Sequence, residues 1–223
     1  MFSTTHMQRE ITKLKSHLVE LGAEVERSLE NALRALTTMD LDEARKVVEY
    51  DHTIDMHEVD IEEECLKILA LYQPVSSDLR LVVAILKINN DLERMADLAA
   101  NVAEYVQEIA QTGQDIKISE KFERMGEVTR EMVRQSLDSL VNADVELARR
   151  AFRQDDIVDD LNREIIHEVQ AAMKADPAHM DALVFQLSAS RNIERIADIA
   201  TNVVEDVIYV GSGEIIRHKP EKR

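Results

Sequence analysis

The feature that most constrains this chain is that it contains itself twice. Asn90 to Glu104 reads NDLERMADLAANVAE, and Arg191 to Glu205 reads RNIERIADIATNVVE. Aligned without a gap at an offset of 101, the two share Glu93/Glu194, Arg94/Arg195, Ala96/Ala197, Asp97/Asp198, Ala99/Ala200, Asn101/Asn202, Val102/Val203 and Glu104/Glu205. Chance does not supply so many identities in so short a window, so the chain is an internal duplication and is expected to fold as two copies of one supersecondary unit. Each copy carries a Glu and an Asp four residues apart, a spacing that puts both carboxylates on one face of a helix.

The unit is helical. With five Gly and three Pro in 223 residues, the chain lacks the turn residues of a β protein. Trp is absent and aromatics make up 4 %; Ala, Leu, Glu, Arg, Val and Ile dominate, as in long packed helices. From Thr4 to about Leu36 the apolar residues Met7, Ile11, Leu14, Leu18, Leu21, Val25, Ala32 and Leu36 form a heptad seam on one long helix, interrupted at Ser28. Asp40 with Glu43 three residues on is a capping-box start for a second helix, about Leu41 to Leu71. Gln73-Pro74 breaks it, and Ser76, Ser77 and Asp78 supply caps for a third helix running to about Gln111, closed by Thr112-Gly113-Gln114.

The pattern then repeats. Ser119 opens a fourth helix to about Val141, in which Gly126 matches Gly22 at an offset of 104. Asp144 matches Asp40 and opens a fifth, and Asp176-Pro177 opens a sixth that ends near Gly211 to Gly213. Short connections imply antiparallel neighbours. The expected architecture is all-α: two tandem three-helix bundles, residues 1–113 and 114–213, with a flexible polar tail at 214–223.

The second helix holds the candidate chemistry. Its expected seam reads Ala44, Val48, Asp51, Asp55, Glu58, Glu62, Cys65 and Leu69, with four carboxylates inside an apolar stripe. At the offset of 104, Asp155 and Asp159 fall on Asp51 and Asp55, whereas Glu58 and Glu62 fall on Asn162 and Ile166. Glu93/Asp97 and Glu194/Asp198 lie at the border of the third-helix seam in each half. If helices two and three are neighbours, Asp51, Asp55, Glu93 and Asp97 converge in one half and Asp155, Asp159, Glu194 and Asp198 in the other. Two ionised carboxylates about 5 Å apart repel by roughly 3 kcal/mol at an effective dielectric near 20. Cations remove that repulsion, and all-oxygen ligand sets suit Mg²⁺, Mn²⁺, Ca²⁺ or iron. The eight acids are therefore candidate metal ligands; surface carboxylates solvated by water, or paired with residues such as Arg94 and Arg195, are the bland alternative. Asn101 and Asn202, one turn on, are placed to add a carbonyl oxygen.

Other chemistries find less support. Glu49-x-x-His52 and Glu164-x-x-His167 resemble the Glu-x-x-His pairs of carboxylate-bridged di-iron bundles, which keeps a metal enzyme or ferritin-like storage protein as the alternative. Their places in the two halves do not correspond. No Gly-rich phosphate loop is present. Cys65, the one cysteine, lies on an apolar seam and reads as packing. The net charge of −17 disfavours nucleic acid and anionic lipid as partners. No run reaches the roughly 18 apolar residues a membrane span needs, so a soluble cytoplasmic protein is expected.

Taken together, LERMADLAANVAE, IERIADIATNVVEDVIY, the Gln-Pro-Val-Ser-Ser-Asp-Leu-Arg segment ending at Arg80, and the repeated Asp-x-x-x-Asp resemble the PhoU family of phosphate-signalling regulators, over residues 5 to 213. The resemblance implies two acidic motifs per bundle that hold a multinuclear metal cluster, here the eight acids above. It also implies a non-enzymatic cytoplasmic protein, often a homodimer, that restrains phosphate-starvation signalling by linking the transporter ATPase PstB to the sensor kinase PhoR. Ala96 and Ala197 stand where many members have glycine, and Tyr72-Gln73-Pro74 where Arg-Gln-Pro is typical. Arg45, Arg80 and Arg149 are candidate partner-facing residues.

Overall fold

The computed structural model describes residues 2–142 and 144–212, with side chains from His6 to Val210. The tail expected from 214 onward lies outside the described residues. Helices α1 (Phe2–Thr38), α2 (Leu41–Tyr72) and α3 (Ser76–Gln111) form the first half; α4 (Lys121–Asn142), α5 (Val145–Phe152), α6 (Asp155–Ala175) and α7 (Met180–Ser212) form the second. No helix among the described residues is long and apolar enough to cross a membrane.

Local chemistry sets the boundaries. Asp40 Oδ1 accepts from the backbone N–H groups of Asp42 and Glu43, each at 3.0 Å, and its counterpart Asp144 accepts from Leu147 N at 2.9 Å, so both second helices start on an aspartate cap. Gln73, before Pro74, adopts the left-handed conformation (φ 45°) and ends α2. Gly113 (φ 64°) follows α3 and supplies the same geometry at no steric cost. Asp176 caps a 3₁₀ turn, Pro177–His179, that leads into α7. One expectation is corrected: the residue before α3 is Val75, with no side-chain cap, and Ser76 is strained at φ 51°. The first helix is the one long helix expected, and Ser28, the polar residue in its seam, is buried.

The fifth helix is interrupted where nothing in Phe152-Arg153-Gln154 resembles a breaker. The chain turns at Arg153 and Gln154 and restarts at Asp155. The break leaves Asp155 in the first turn of α6, while its counterpart Asp51 lies in the middle of α2.

Within each half the three helices, with α5 and α6 counted as one interrupted helix, bury their apolar stripes on one another. The halves also share one hydrophobic core, joined by α3 on α7 and α1 on α4. Both joins are antiparallel and follow a pseudo-two-fold axis. A Cβ placed on Gly22 of α1 would meet Leu137 Cδ1 of α4 at 2.1 Å, and one on Gly126 of α4 would meet Leu33 Cδ1 of α1 at 2.1 Å. These are the same contact seen from each copy, since Gly126 and Leu137 are Gly22 and Leu33 advanced by 104. Beside them Arg130 pairs with Glu30 at 2.9 Å, and Glu26 faces Arg134 at the related position.

On the other join, Lys87 Nζ near the start of α3 lies 3.7 Å from Asp206 Oδ1 near the end of α7. Tyr105 near the end of α3 packs on Phe185 near the start of α7, ring centres 6.0 Å apart. Between these two contacts lie Ala96 and Ala197, both fully buried. Small side chains there let the two backbones approach.

The glycine seats yield a sign test. Gly126→Ala gains about 1 kcal/mol of helix propensity but overpacks against Leu33, which typically costs about 1–3 kcal/mol. The substitution is expected to destabilise the wild-type background and to stabilise a Leu33→Ala background, as read from chemical denaturation midpoints.

Candidate functional site

The apolar line of α2 is Ala44, Val47, Ile54, Ile61, Cys65 and Ile68, displaced by about one residue from the expected seam. The alternating three- and four-residue steps of that line pass through positions 51 and 58. Asp51 and Glu58 therefore occupy seam positions, half-buried, while Asp55 lies half-buried beside them and Glu62 is exposed. On α3, Glu93 is half-buried and Asp97 more exposed, flanking the fully buried Leu92 and Ala96. Packing α2 on α3 brings these borders together.

Asp51, Asp55 and Asp97 converge most closely, each offering a carboxylate oxygen within 4.8 Å of the others. Among the described residues no other three His, Cys, Asp or Glu side chains meet so tightly. Burial, then the charges of Asp97 and Asp55, push the Asp51 carboxyl up to about 6. Burial, then Asp97, Asp55, Glu58 and Asp51, push Glu93 up to about 7. Asp97 is raised by desolvation and by Asp55. Four acids crowd one another and no cationic side chain is among the causes.

The second half repeats the set in a looser form. Burial, then Asp159, Asp198, Asp156 and Glu194, raise Asp155 to about 6. Burial, Asp198 and Asp159 raise Glu194, with Arg195 and Arg191 opposing. Asp198 is raised by burial and Asp159, again against Arg195. The eight acids thus group as the spacing implies, four from each half.

Hydrogen bonding separates the halves further. Buried Asn89 on α3 donates to Glu58 Oε1 at 2.9 Å and to the Glu58 carbonyl at 2.8 Å. The corresponding positions hold Asn162 and Ser190, and Ser190 Oγ donates to Asn162 Oδ1. The equivalent contact is thus carboxylate–amide in one half and amide–hydroxyl in the other, so Glu58 adds negative charge only to the first set.

The donor set fits a hard cation. Asp51 Oδ1 is buried and has no hydrogen-bond partner, a costly state for a carboxylate oxygen unless something electropositive reaches it. Carboxylate oxygens from two rigid helices are the ligands that Mg²⁺, Mn²⁺, Ca²⁺ or iron accept.

One acid of each set, Asp97 and Asp198, borders a shared space. A cavity of about 440 Å³ lies at the α3–α7 crossing, lined by Arg94, Asp97, Leu98 and Asn101 of α3 and by their four counterparts at offset 101 on α7. The identity of Arg94/Arg195 and Asn101/Asn202 between the copies signalled these positions; that they face one shared space was not readable, because it depends on how the halves dock.

Other candidates fall away from this region. Glu49, His52, Glu164 and His167 are exposed, and Lys121 pairs with Glu164 at 3.3 Å, so the Glu-x-x-His motifs form no core di-iron site. Cys65 is buried, and burial pushes its thiol up to about 12. Arg45 and Arg149 are exposed in equivalent pairs, 2.9 Å from Asp42 and 3.3 Å from Glu146. Arg80 is half-buried with its Nε unpartnered. A larger groove of about 710 Å³ between α1 and α2 contains two crossed pairs, His17–Glu64 at 3.0 Å and His57–Glu24 at 2.8 Å, and none of the eight acids.

The raised carboxyls imply a pH dependence. Unfolding returns Asp51 and Glu93 toward ordinary values of 3.8 and 4.5, so between there and their folded values of about 6 and 7 the folded state binds more protons. Stability then falls as pH rises. In chelator, the melting temperature is expected to drop between pH 4.5 and 7, and Asp51→Asn with Glu93→Gln to flatten that slope.

Comparison with known proteins places this geometry. The PhoU domain matches twice, at residues 18–106 and 122–207. A phosphate-specific transport system accessory protein PhoU homolog of Aquifex aeolicus is 36 % identical over 95 % of each chain, and the Escherichia coli accessory protein PhoU is 32 % identical over 94 % of this chain and 86 % of its own. The crystal structure of PhoU from Pseudomonas aeruginosa superposes with a TM-score of 0.88 at 34 % identity, covering 93 % of this chain and 99 % of that one. That of the phosphate transport system regulatory protein PhoU from Streptococcus pneumoniae gives 0.86 at 28 % identity, covering 94 % and 98 %. With both repeats matched and relatives aligned end to end, the chain belongs to the PhoU family, whose members are accessory and regulatory proteins of phosphate transport rather than enzymes.

Proposed function

We propose that this protein is a metal-dependent adaptor that couples the phosphate transporter to phosphate-starvation signalling. Two four-carboxylate sets, Asp51, Asp55, Glu93 and Asp97 and Asp155, Asp159, Glu194 and Asp198, hold divalent cations or iron. The observation that carries the metal reading is the convergence of Asp51, Asp55 and Asp97, of which Asp51 keeps a buried oxygen with no hydrogen-bond partner. A bound cation neutralises the repulsion within each set and ties the second helix of a bundle to the third. That cross-link acts on the α3–α7 crossing, so metal occupancy bears on how the two halves sit together.

The signalling reading rests on family membership. Relatives are named as accessory proteins of the phosphate-specific transport system, and a transporter ATPase of the PstB kind and a sensor kinase of the PhoR kind are the partners it implies. In this reading the protein works in the cytoplasm, as a homodimer, and restrains the phosphate-starvation response while phosphate is plentiful. Long exposed helices such as α2, with Met56, Val59 and Leu66 on its outer side, provide surface for such contacts.

Two measurements separate the parts of this proposal. Elemental analysis of purified wild type should find bound divalent metal or iron, and Asp97→Asn/Asp198→Asn should lose most of it; equal content in the two would remove these acids as ligands. A chromosomal copy carrying the same double substitution should derepress a phosphate-starvation reporter in phosphate-rich medium. Full repression by the metal-free variant would leave the adaptor role standing and detach it from metal.

A further inference from the structure

We infer that the cavity at the α3–α7 crossing binds a tetrahedral oxyanion, inorganic phosphate or a phosphate monoester, between two cation-loaded carboxylate sets. The inference deepens the metal reading above and rests on it. All eight lining residues form four equivalent pairs, so the space lies on the pseudo-two-fold axis that relates the halves. A ligand centred there meets the same groups from both sides. A tetrahedral anion has two-fold axes of its own, each relating one pair of oxygens to the other pair, and so presents matching oxygen edges to the two copies.

The donors suit such a ligand. Arg94 and Arg195 each carry a planar fork that matches an O–P–O edge with two parallel hydrogen bonds, and Asn101 and Asn202 add amide N–H donors. The two arginines are not equally committed. Arg94 donates to Asp91 Oδ1 at 3.0 Å, whereas the position matching Asp91 is Asn192. Among the described residues Arg195 forms no ion pair. Its charge acts on Glu194 and Asp198, but its N–H groups are not committed to a carboxylate as those of Arg94 are.

Sign decides the order of binding. Asp97 and Asp198 face the same cavity, and on a chain of net charge −17 two arginines do not outweigh them. Cations at both sets reverse the local field, since a bound ion is the largest charge in such a site. The cation binds first and the anion second.

The experiment uses the full chain loaded with Mn²⁺, its metal content measured by elemental analysis, then titrated calorimetrically with inorganic phosphate and, separately, glycerol phosphate. Loaded protein is expected to bind phosphate and chelated protein to bind none. Arg195→Gln should weaken binding roughly tenfold or more, the scale of losing charge-assisted hydrogen bonds, in protein whose metal loading is confirmed by elemental analysis; Arg94→Gln should weaken it less. Tighter binding of inorganic phosphate than of glycerol phosphate assigns the site to the free ion, and the reverse order to a monoester. Metal uptake without heat from either anion overturns this inference alone. So does an Arg195→Gln variant that binds as the wild type does, or chelated protein that binds as loaded protein does. Failure to take up metal overturns the metal reading and this inference with it.

Discussion

The close antiparallel crossing of α3 and α7 is the constraint on which the rest depends. It requires small residues at one point on each helix, and Ala96 and Ala197 meet that requirement, both fully buried. The residue after each alanine is then forced to the edge of the crossing, and those residues are Asp97 and Asp198. An acid adjacent to a close helix contact is partly desolvated by the neighbouring backbone, so burial is the leading cause of the raised carboxyls in both sets. Packing and electrostatics are here one decision. A bulkier residue at position 96 would separate the helices and return the acids to water.

That arrangement is a local conflict embedded in an otherwise consistent fold. Caps, apolar stripes and connections all favour the same helices, while the carboxylates oppose the packing that brings them together. Such conflicts concentrate where a protein binds something. Asp51 is the sharpest case: it occupies a core position of α2 between Val47 and Ile54, has a buried oxygen without a partner, and faces Asp55 and Asp97. A leucine at 51 would satisfy the helix better.

Much of this was legible in the sequence, and the part that was not has a physical reason. Helix number and type follow from composition and period, and the Asp40 and Asp144 caps mark their starts. The duplication identifies both carboxylate sets before any geometry is known. The α2 seam was displaced by about one residue because Asp51 and Glu58 occupy two of its positions and Asp55 and Glu62 sit beside them, which leaves its phase open between neighbouring registers; the buried line is the one through Val47, Ile54, Ile61 and Ile68. The turn at Arg153 and Gln154 carries no Gly or Pro, so it reflects tertiary packing overriding propensity. The cavity on the pseudo-two-fold axis lay beyond reach for a different reason. Sequence shows that Arg94 and Arg195 are equivalent, but only docking of the halves shows that they share one space.

Equivalence by descent has not left the two sets equal. The first has Glu58 beside it, no opposing arginine among the causes of its shifts, and a carboxyl, Glu93, raised to about 7. In the second, Asn162 replaces Glu58, Arg191 and Arg195 pull Glu194 back down, and the carboxylates converge less tightly. Repulsion left uncompensated by the protein is what a cation gains by neutralising, so the first set makes the stronger demand for metal. Of the two arginines that quiet the second set, Arg195 also lines the shared cavity, where it lacks the hydrogen-bonded aspartate that Arg94 keeps in Asp91. On the proposed reading, divergence after duplication separates two tasks: charge concentrated for a cation on the α2–α3 side, and positive donors left available for an anion on the α7 side.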